Sequence, residues 1–213
     1  MTNFSATHET STTHALTTQL SNVISNTISA EIRNLQQLQA AIRPDRFADC
    51  IQALSTADRI VVQGIGTSGA LANYAETRLI RRGVQAVSTD STGLRLADFL
   101  ILLQPGDVLL VTSRVTGHRD IDVATRYAKK HGVRSFSLLD LVDGNLSRAG
   151  ALVMIDLISS AIAVLNPPRT EETNAALNTL RAELAGRPMD IFGAIRDLDS
   201  DRPEGVVSKG GNQ

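Results

Sequence analysis

Short apolar runs separated by segments of helical spacing are the feature that most constrains the fold of this chain. Five such runs lie at residues 59–63, 84–89, 108–113, 135–139 and 151–156. Helical patterns lie between them at residues 69–82, 92–103, 118–130 and, more weakly, 143–149. Apolar strands alternating with helices are typical of a parallel sheet with helices on both faces. The pattern predicts an α/β domain with a five-stranded parallel sheet in three αβα layers.

The segments on either side of this alternation predict helices and two polar ends. Apolar residues recur at helical spacing from Leu20 to Ile42, Pro44 then forces a break, and a second helix is predicted at 44–54. A last helix is predicted at 169–184, with a capping-box-like Thr170. The resulting division is a disordered arm at 1–17, N-terminal helices at 18–56, an α/β domain with its C-terminal helix at 57–186, and a flexible tail at 187–213.

Composition removes several classes of function. The net charge is -1, from 21 basic and 22 acidic residues, so no overall field favours nucleic acid or an anionic membrane. Cys50 is the only cysteine, which excludes an intramolecular disulfide and a cysteine-based zinc site. The start has no signal-peptide pattern, and no run of about 18 apolar residues is evident. We expect a cytoplasmic protein with no metal, no cofactor, and no membrane or nucleic-acid partner.

The strongest local motif follows the first predicted strand and opens a helix. It reads Gly64-Ile65-Gly66-Thr67-Ser68-Gly69. Glycines let the backbone approach an anion, and the free N–H groups at a helix N-terminus favour negative charge. The motif predicts a phosphate site. Since Asp90 falls at the end of the second strand, as in dinucleotide-binding folds, the motif alone leaves both a phosphosugar and NAD open.

Together, the segments RIVVQGIGTSGALANYAETRLIRRGVQAVSTDSTG, LQPGDVLLVTSRVTGHRDIDVATRYAKKHGVRSFSLLD and NLSRAGALVMID resemble the sugar isomerase (SIS) domain. The closest similarity is to the sugar-binding half of RpiR-type regulators, without their helix-turn-helix domain. The resemblance implies a flavodoxin-like fold and a phosphosugar ligand held by a hydroxyl of the first loop, here Thr67 or Ser68. It also places the family's Arg-Leu-x-x-x-Gly turn at 78–83, and its Asp after the second strand at Asp90. SIS domains usually pair, which implies a homo-oligomer, a dimer or tetramer.

The loop after the third predicted strand departs from the family pattern Ser-x-Ser-Gly-x-Thr. Ser113 keeps the first serine, and a shift by one residue pairs Thr116-Gly117 with Ser-Gly. The loop instead carries three nitrogen donors, so a phosphate would be contacted through charge rather than through clustered hydroxyls. These donors are Arg114, His118 and Arg119.

Aldose–ketose isomerisation needs a base that works near neutral pH, and two residues are candidates. His118 lies on the third-strand loop, and Glu76 lies in the first helix of the sheet. A helix-terminal histidine and a solvated helical carboxylate are the structural alternatives for these two residues.

Three functions remain open on sequence grounds. The leading hypothesis is a phosphosugar-binding protein with a sensing or regulatory role. The second is a phosphosugar aldose–ketose isomerase that uses His118 or Glu76 as base. The third is a dinucleotide-binding protein that uses the Gly64 loop and Asp90.

Overall fold

The computed structural model describes residues 5–114 and 116–187 of the chain. Their elements, in chain order, are α1 Ser5–Ala41, α2 Pro44–Thr56, β1 Arg59–Gln63, α3 Thr67–Ile80, β2 Ala86–Thr89, α4 Leu94–Leu100, β3 Asp107–Val111, α5 Arg119–Lys130, β4 Arg134–Ser137, a 3-10 turn Leu138–Leu141, α6 Arg148–Leu165 and α7 Pro167–Ala185. The predicted alternation is confirmed for its first four strands and for the helices between them.

The four strands form one parallel sheet in the order β2-β1-β3-β4. One apolar cluster packs α2, α3 and α6 on one face, and a second packs α4 and α5 on the other. This is the three-layer α/β arrangement that the sequence predicts. The chain leaves β1 towards β2 on one side and returns to β3 on the other, so the loops after β1 and β3 diverge at the carboxyl edge. Open α/β sheets bind ligands at such a switch point.

The fifth predicted strand is wrong, because residues 151–156 lie inside helix α6. An apolar run of this length fits a buried helix as well as a buried strand when periodicity is the only guide. Helix α6 buries Met154, Ile155, Ile158 and Ile162 against the body, which explains the apolar character of that face, whereas Leu157 and Val164 remain exposed. The weak helix predicted at 143–149 is also wrong, since residues 143–147 form an irregular segment and helix α6 begins only at Arg148.

Helix α6 also corrects the expectation that no membrane-length apolar run exists. Its 18 residues are long and apolar enough to cross a bilayer, with a mean hydropathy of 1.8. It packs on α1, α2, α3 and α7, and 39% of it is buried inside the protein.

The flanking helices follow the predicted order with small differences. Helix α1 begins at Ser5, inside the stretch for which the sequence predicts a disordered arm. Helix α7 begins at Pro167 and is capped by the Asn166 side chain, not by Thr170. It ends at Ala185 and is followed by Gly186, whose φ of 64° is the left-handed conformation that suits glycine at this position. Residues 188–213 of the predicted tail lie outside the described residues.

The amino edge of the sheet is anchored by charge and by a close backbone approach. Asp107 is buried at the start of β3 and accepts hydrogen bonds from the Arg59 guanidinium, at 3.2 Å from Nε, and from the Gln104 amide, at 2.9 Å. Gly106 lies so close to Asp58 that an added Cβ would come 2.1 Å from the carboxylate. These contacts fix the entries to β1 and β3 at the edge opposite the switch point.

Candidate functional site

The first loop at the carboxyl edge presents a group of unused backbone donors. Gly66 has φ 59° and ψ -126°, a backbone conformation suited to glycine, and it directly precedes the first turn of α3. The amides of Ser68 and Gly69 donate to the Ile65 and Gly66 carbonyls, at 3.1 and 3.0 Å. Within the described residues, the amides of Ile65, Gly66 and Thr67 donate no hydrogen bond. Three successive free N–H groups at a helix N-terminus form an anion-binding concavity.

A buried threonine of the third strand's loop holds this concavity in place. Thr112 is fully buried, and its Oγ1 donates to the Ser68 carbonyl at 2.9 Å and is 3.3 Å from the Gln63 carbonyl. Its own amide donates to the same Gln63 carbonyl at 2.9 Å. The loops after β1 and β3 are therefore joined into one unit.

Gly64 is required for this junction because its neighbours leave no room for a side chain. A Cβ added there would come 2.0 Å from the Ser68 carbonyl oxygen and 2.6 Å from Thr112 Oγ1. Gly69 is similarly close to Asp90, whose Cβ would lie 2.8 Å from an added Cβ. Asp90 thus lies against the first turn of α3 and is nevertheless exposed to solvent.

The loop after β3 brings further predicted residues to the same edge. Ser113 is buried behind the edge, whereas Thr116, Gly117, His118 and Arg119 are exposed. Arg114 is half-buried and turns across the edge, where its guanidinium donates to the Leu146 carbonyl at 3.0 Å. The predicted donors therefore share one edge, and Arg114 faces α6.

His118 serves helix α5 as its N-cap. Its Nδ1 accepts a hydrogen bond from the Asp120 amide at 3.3 Å, while Asp120 accepts one from the Gly93 amide at 3.0 Å. The ring is exposed, and the capping role uses one of its two nitrogens. This is the structural role that the sequence left as the alternative to general base.

Glu76 is separated from the free amides along helix α3. It lies nine residues after Thr67, which is about 13 Å along the helix axis at 1.5 Å per residue. Its carboxylate accepts a hydrogen bond from the Ser88 hydroxyl on the edge strand β2. Glu76 is thus half-buried against β2 and is held by a structural partner.

A small cleft of about 200 Å³ opens beside the first loop, between α3 and α6. It is bounded by Arg114 of the third-strand loop and by residues of the two helices, namely Thr67, Ala70, Leu71, Tyr74, Arg148 and Leu152. Next to it, the Tyr74 hydroxyl donates to Asp156 at 2.7 Å, and Arg78 pairs with the same carboxylate at 2.9 Å. Burial and this hydrogen bond raise the pKa of Tyr74, so its hydroxyl remains a donor.

Gln63 places a second buried polar group at this edge. It ends β1 between Thr89 and Val111, and it is fully buried. Neither atom of its side-chain amide has a hydrogen-bond partner among the described residues. A buried amide of this kind calls for a polar partner, such as water or a ligand group.

A family model supplies the identity of this architecture. The model of the SIS domain matches residues 53–180, more than half of the chain. The chain belongs to the SIS domain family. A search of curated proteins found no match to its sequence.

Several solved structures share the fold at low sequence identity. The sugar isomerase domain of an RpiR transcription factor from Sphaerobacter thermophilus has a TM-score of 0.64 and 22% identity, covering 71% of this chain and 96% of that chain. Vibrio vulnificus NanR complexed with ManNAc-6P has a TM-score of 0.64 and 21% identity, covering 78% and 74%. A phosphoheptose isomerase from Francisella tularensis has a TM-score of 0.55 and 14% identity, covering 66% and 96%. The fold is therefore similar both to a domain of a transcription factor and to an isomerase.

Within this SIS domain, the edge also holds residues that the sequence did not single out. Thr112, Gln63, Tyr74 and Arg148 all lie at or beside the switch point. Thr112 and Gln63 had one available signal, since each is a polar residue at the end of a buried strand. Arg148 had no such signal, because the sequence predicts a strand at 151–156, where the structure has helix α6.

Proposed function

We propose that this SIS domain binds a phosphorylated sugar at its carboxyl edge, in a sensing or regulatory role. The observation that carries the proposal is the set of free amides at Ile65, Gly66 and Thr67, held in place by Thr112. A phosphate bound there would accept hydrogen bonds from these N–H groups. The positive end of the α3 dipole would favour its negative charge. The solved NanR structure contains ManNAc-6P, which supports a phosphosugar as the ligand class.

Side chains of both loops would complete the phosphate site. The Thr67 hydroxyl is exposed at the first position of α3, next to the free amides. Ser68 and Ser113 lie behind them, and Thr116 and Arg119 lie on the exposed part of the third-strand loop. The guanidinium group of Arg119 would compensate for the hydroxyl groups that the loop after β3 lacks.

A sensing role is favoured over turnover because both candidate bases already have structural hydrogen-bond partners. Glu76 is bound by Ser88 on the edge strand, and His118 uses Nδ1 to cap α5. A general base must lie within hydrogen-bond reach of the proton that it abstracts. The alternative, an aldose–ketose isomerase, is supported by the structural similarity to a phosphoheptose isomerase.

A thermal-shift screen with product analysis tests these two functions. Pentose, hexose and amino-sugar phosphates are compared, with free phosphate and NAD as controls. We expect a selective rise in Tm with one sugar phosphate and no ketose product, because a ligand that binds only the folded state stabilises it. Ketose formation that disappears in His118→Ala or Glu76→Gln would instead establish the isomerase. No shift with any sugar phosphate would refute phosphosugar binding, and a shift with NAD alone would favour the dinucleotide alternative.

The exposed apolar face of helix α1 supports a homo-oligomer, a dimer or tetramer. Leu16, Leu20, Val23, Ile24 and Ile28 are each more than half exposed. Residues 16–30 contain no charged side chain, whereas helices that bind anionic membranes carry lysine and arginine. A second copy of the helix would cover this face. Light scattering of the full chain and of Leu20→Asn/Ile24→Asn tests this, since the double variant should dissociate; a wild-type monomer would refute it.

A further inference from the structure

The cleft between α3 and α6 adjoins the proposed phosphate site and differs from it in character. Thr67 belongs to both, because its amide is one of the free donors and its side chain lines the cleft. At about 200 Å³, the cleft is smaller than the roughly 300–1,000 Å³ of complete small-molecule pockets. It therefore suits one end of a ligand whose other end lies on the free amides.

The charged groups of this cleft are both cationic. Arg114 and Arg148 line it, and no acidic residue does. Among the described residues, neither arginine has a carboxylate within ion-pair distance. The nearby carboxylate of Asp156 already accepts from Tyr74 and pairs with Arg78. The cleft thus carries positive charge that no carboxylate of the described chain balances.

The rest of the lining makes that charge selective for an anion. Ala70, Leu71 and Leu152 are apolar, so a group that enters the cleft loses part of its water and interacts more strongly with the guanidinium groups. The hydrogen bond to the Leu146 carbonyl holds one nitrogen of Arg114 and orients its planar fork. Guanidinium forks match the geometry of a carboxylate, which they bind through two parallel hydrogen bonds.

We infer that the ligand is a phosphorylated sugar acid, whose phosphate lies on the α3 amides and whose carboxylate is bound by Arg114 and Arg148. This inference rests on the proposed phosphosugar function and narrows it to ligands with two anionic ends. Among the described residues, a neutral sugar end would leave the half-buried Arg114 and the exposed Arg148 without a carboxylate partner.

A matched pair of ligands separates this inference from the general function. 6-Phosphogluconate and sorbitol 6-phosphate have the same open six-carbon chain and phosphate, and they differ at C1, where one has a carboxylate and the other a hydroxymethyl group. Phosphoerythronate and erythritol 4-phosphate form a shorter pair. Affinities are measured by titration calorimetry on the full chain. We expect the acid of at least one pair to bind about tenfold tighter, which is about 1.4 kcal/mol, because hydrogen bonds between charged groups are stronger than those to a hydroxyl.

Two arginine variants identify the source of that preference. Arg148→Gln should bring the ratio of acid to polyol affinity close to one, while Arg126→Gln, at an exposed position on α5, should leave the ratio as in the wild type. Equal affinity for acid and polyol in the wild type would overturn the inference and leave the phosphosugar function standing. A preference that survives Arg148→Gln would overturn the assignment to this cleft. Failure of all four ligands and of the sugar phosphates above would overturn both.

Discussion

Replacing Thr112 by valine tests whether one hydroxyl joins the two loops of the carboxyl edge. The change keeps the shape of the side chain and removes the hydrogen bonds to the Ser68 and Gln63 carbonyls, at 2.9 and 3.3 Å. Neither carbonyl is left without a donor, because Ser68 lies in the first turn of α3 and Gln63 still accepts the Thr112 amide. The loss is therefore that of one good hydrogen bond, about 1 kcal/mol.

For a domain of this size, that loss lowers Tm by about 2–4 °C. The more specific readout is local. Amide exchange at Ser68 and Gly69 should accelerate relative to the sheet, because their bonds to Ile65 and Gly66 depend on a fixed loop. Calorimetry measures the first effect, and hydrogen exchange with mass spectrometry measures the second.

Thr112→Ser is the matched control for this experiment. It retains the hydroxyl and loses one methyl group, which costs about 0.8 kcal/mol of burial. Its Tm should fall by a similar amount, but exchange in the first loop should stay as slow as in the wild type. If the valine variant keeps both its Tm and its slow exchange, the two loops are not joined by this side chain.

Three further predictions concern buried groups near the sheet. Gly64→Ala should destabilise the fold by about 1–3 kcal/mol and abolish any phosphosugar-dependent rise in Tm, because a Cβ would come 2.0 Å from the Ser68 carbonyl; an unchanged ligand shift in melting experiments would contradict this. Gln63→Leu should leave Tm unchanged or raise it in thermal unfolding, since it removes a buried amide that has no partner among the described residues. A fall in Tm of several degrees would show that the amide has a hydrogen-bond partner. Burial, followed by the neighbouring Asp49, raises the pKa of the Cys50 thiol from 9.0 to about 12, so alkylation of the native protein should be slow at pH 8. As pH rises above about 9, the unfolded thiol ionises before the folded one, and the free energy of unfolding should decline by up to about 1.4 kcal/mol per pH unit more steeply than in Cys50→Ala; parallel profiles would refute the shift.

The strands and most helices could be predicted because their signals are local. Runs such as 59–63 and 108–113 end in polar or glycine residues, which separate a short buried strand from a helix. Residues 151–156 also end in a polar residue, Asp156, but no glycine or proline follows within the next ten residues, and the apolar pattern resumes through Leu165. Length was the better guide there, because 18 residues are typical of a helix and too many for a strand.

The residues of the candidate site also differ in whether a local sequence signal predicts them. The Gly64 to Gly69 motif is contiguous, so its role as an anion site is visible in the sequence. Thr112 acts on a carbonyl 44 positions away in the chain, and backbone acceptors leave no mark on residue type. Arg148 meets Arg114 only because α6 packs against α3, which is a property of the tertiary arrangement.

The anchoring of the amino edge by Asp107 and Arg59 has a consequence for how this fold can change over evolution. The ionic and close-packed contacts that set the entries to β1 and β3 lie at the opposite end of the strands from the loop that departs from its family. Exposed positions such as Thr116 and Arg119 can therefore be exchanged at little cost in stability. Ligand preference can drift in such a scaffold while the architecture is inherited unchanged.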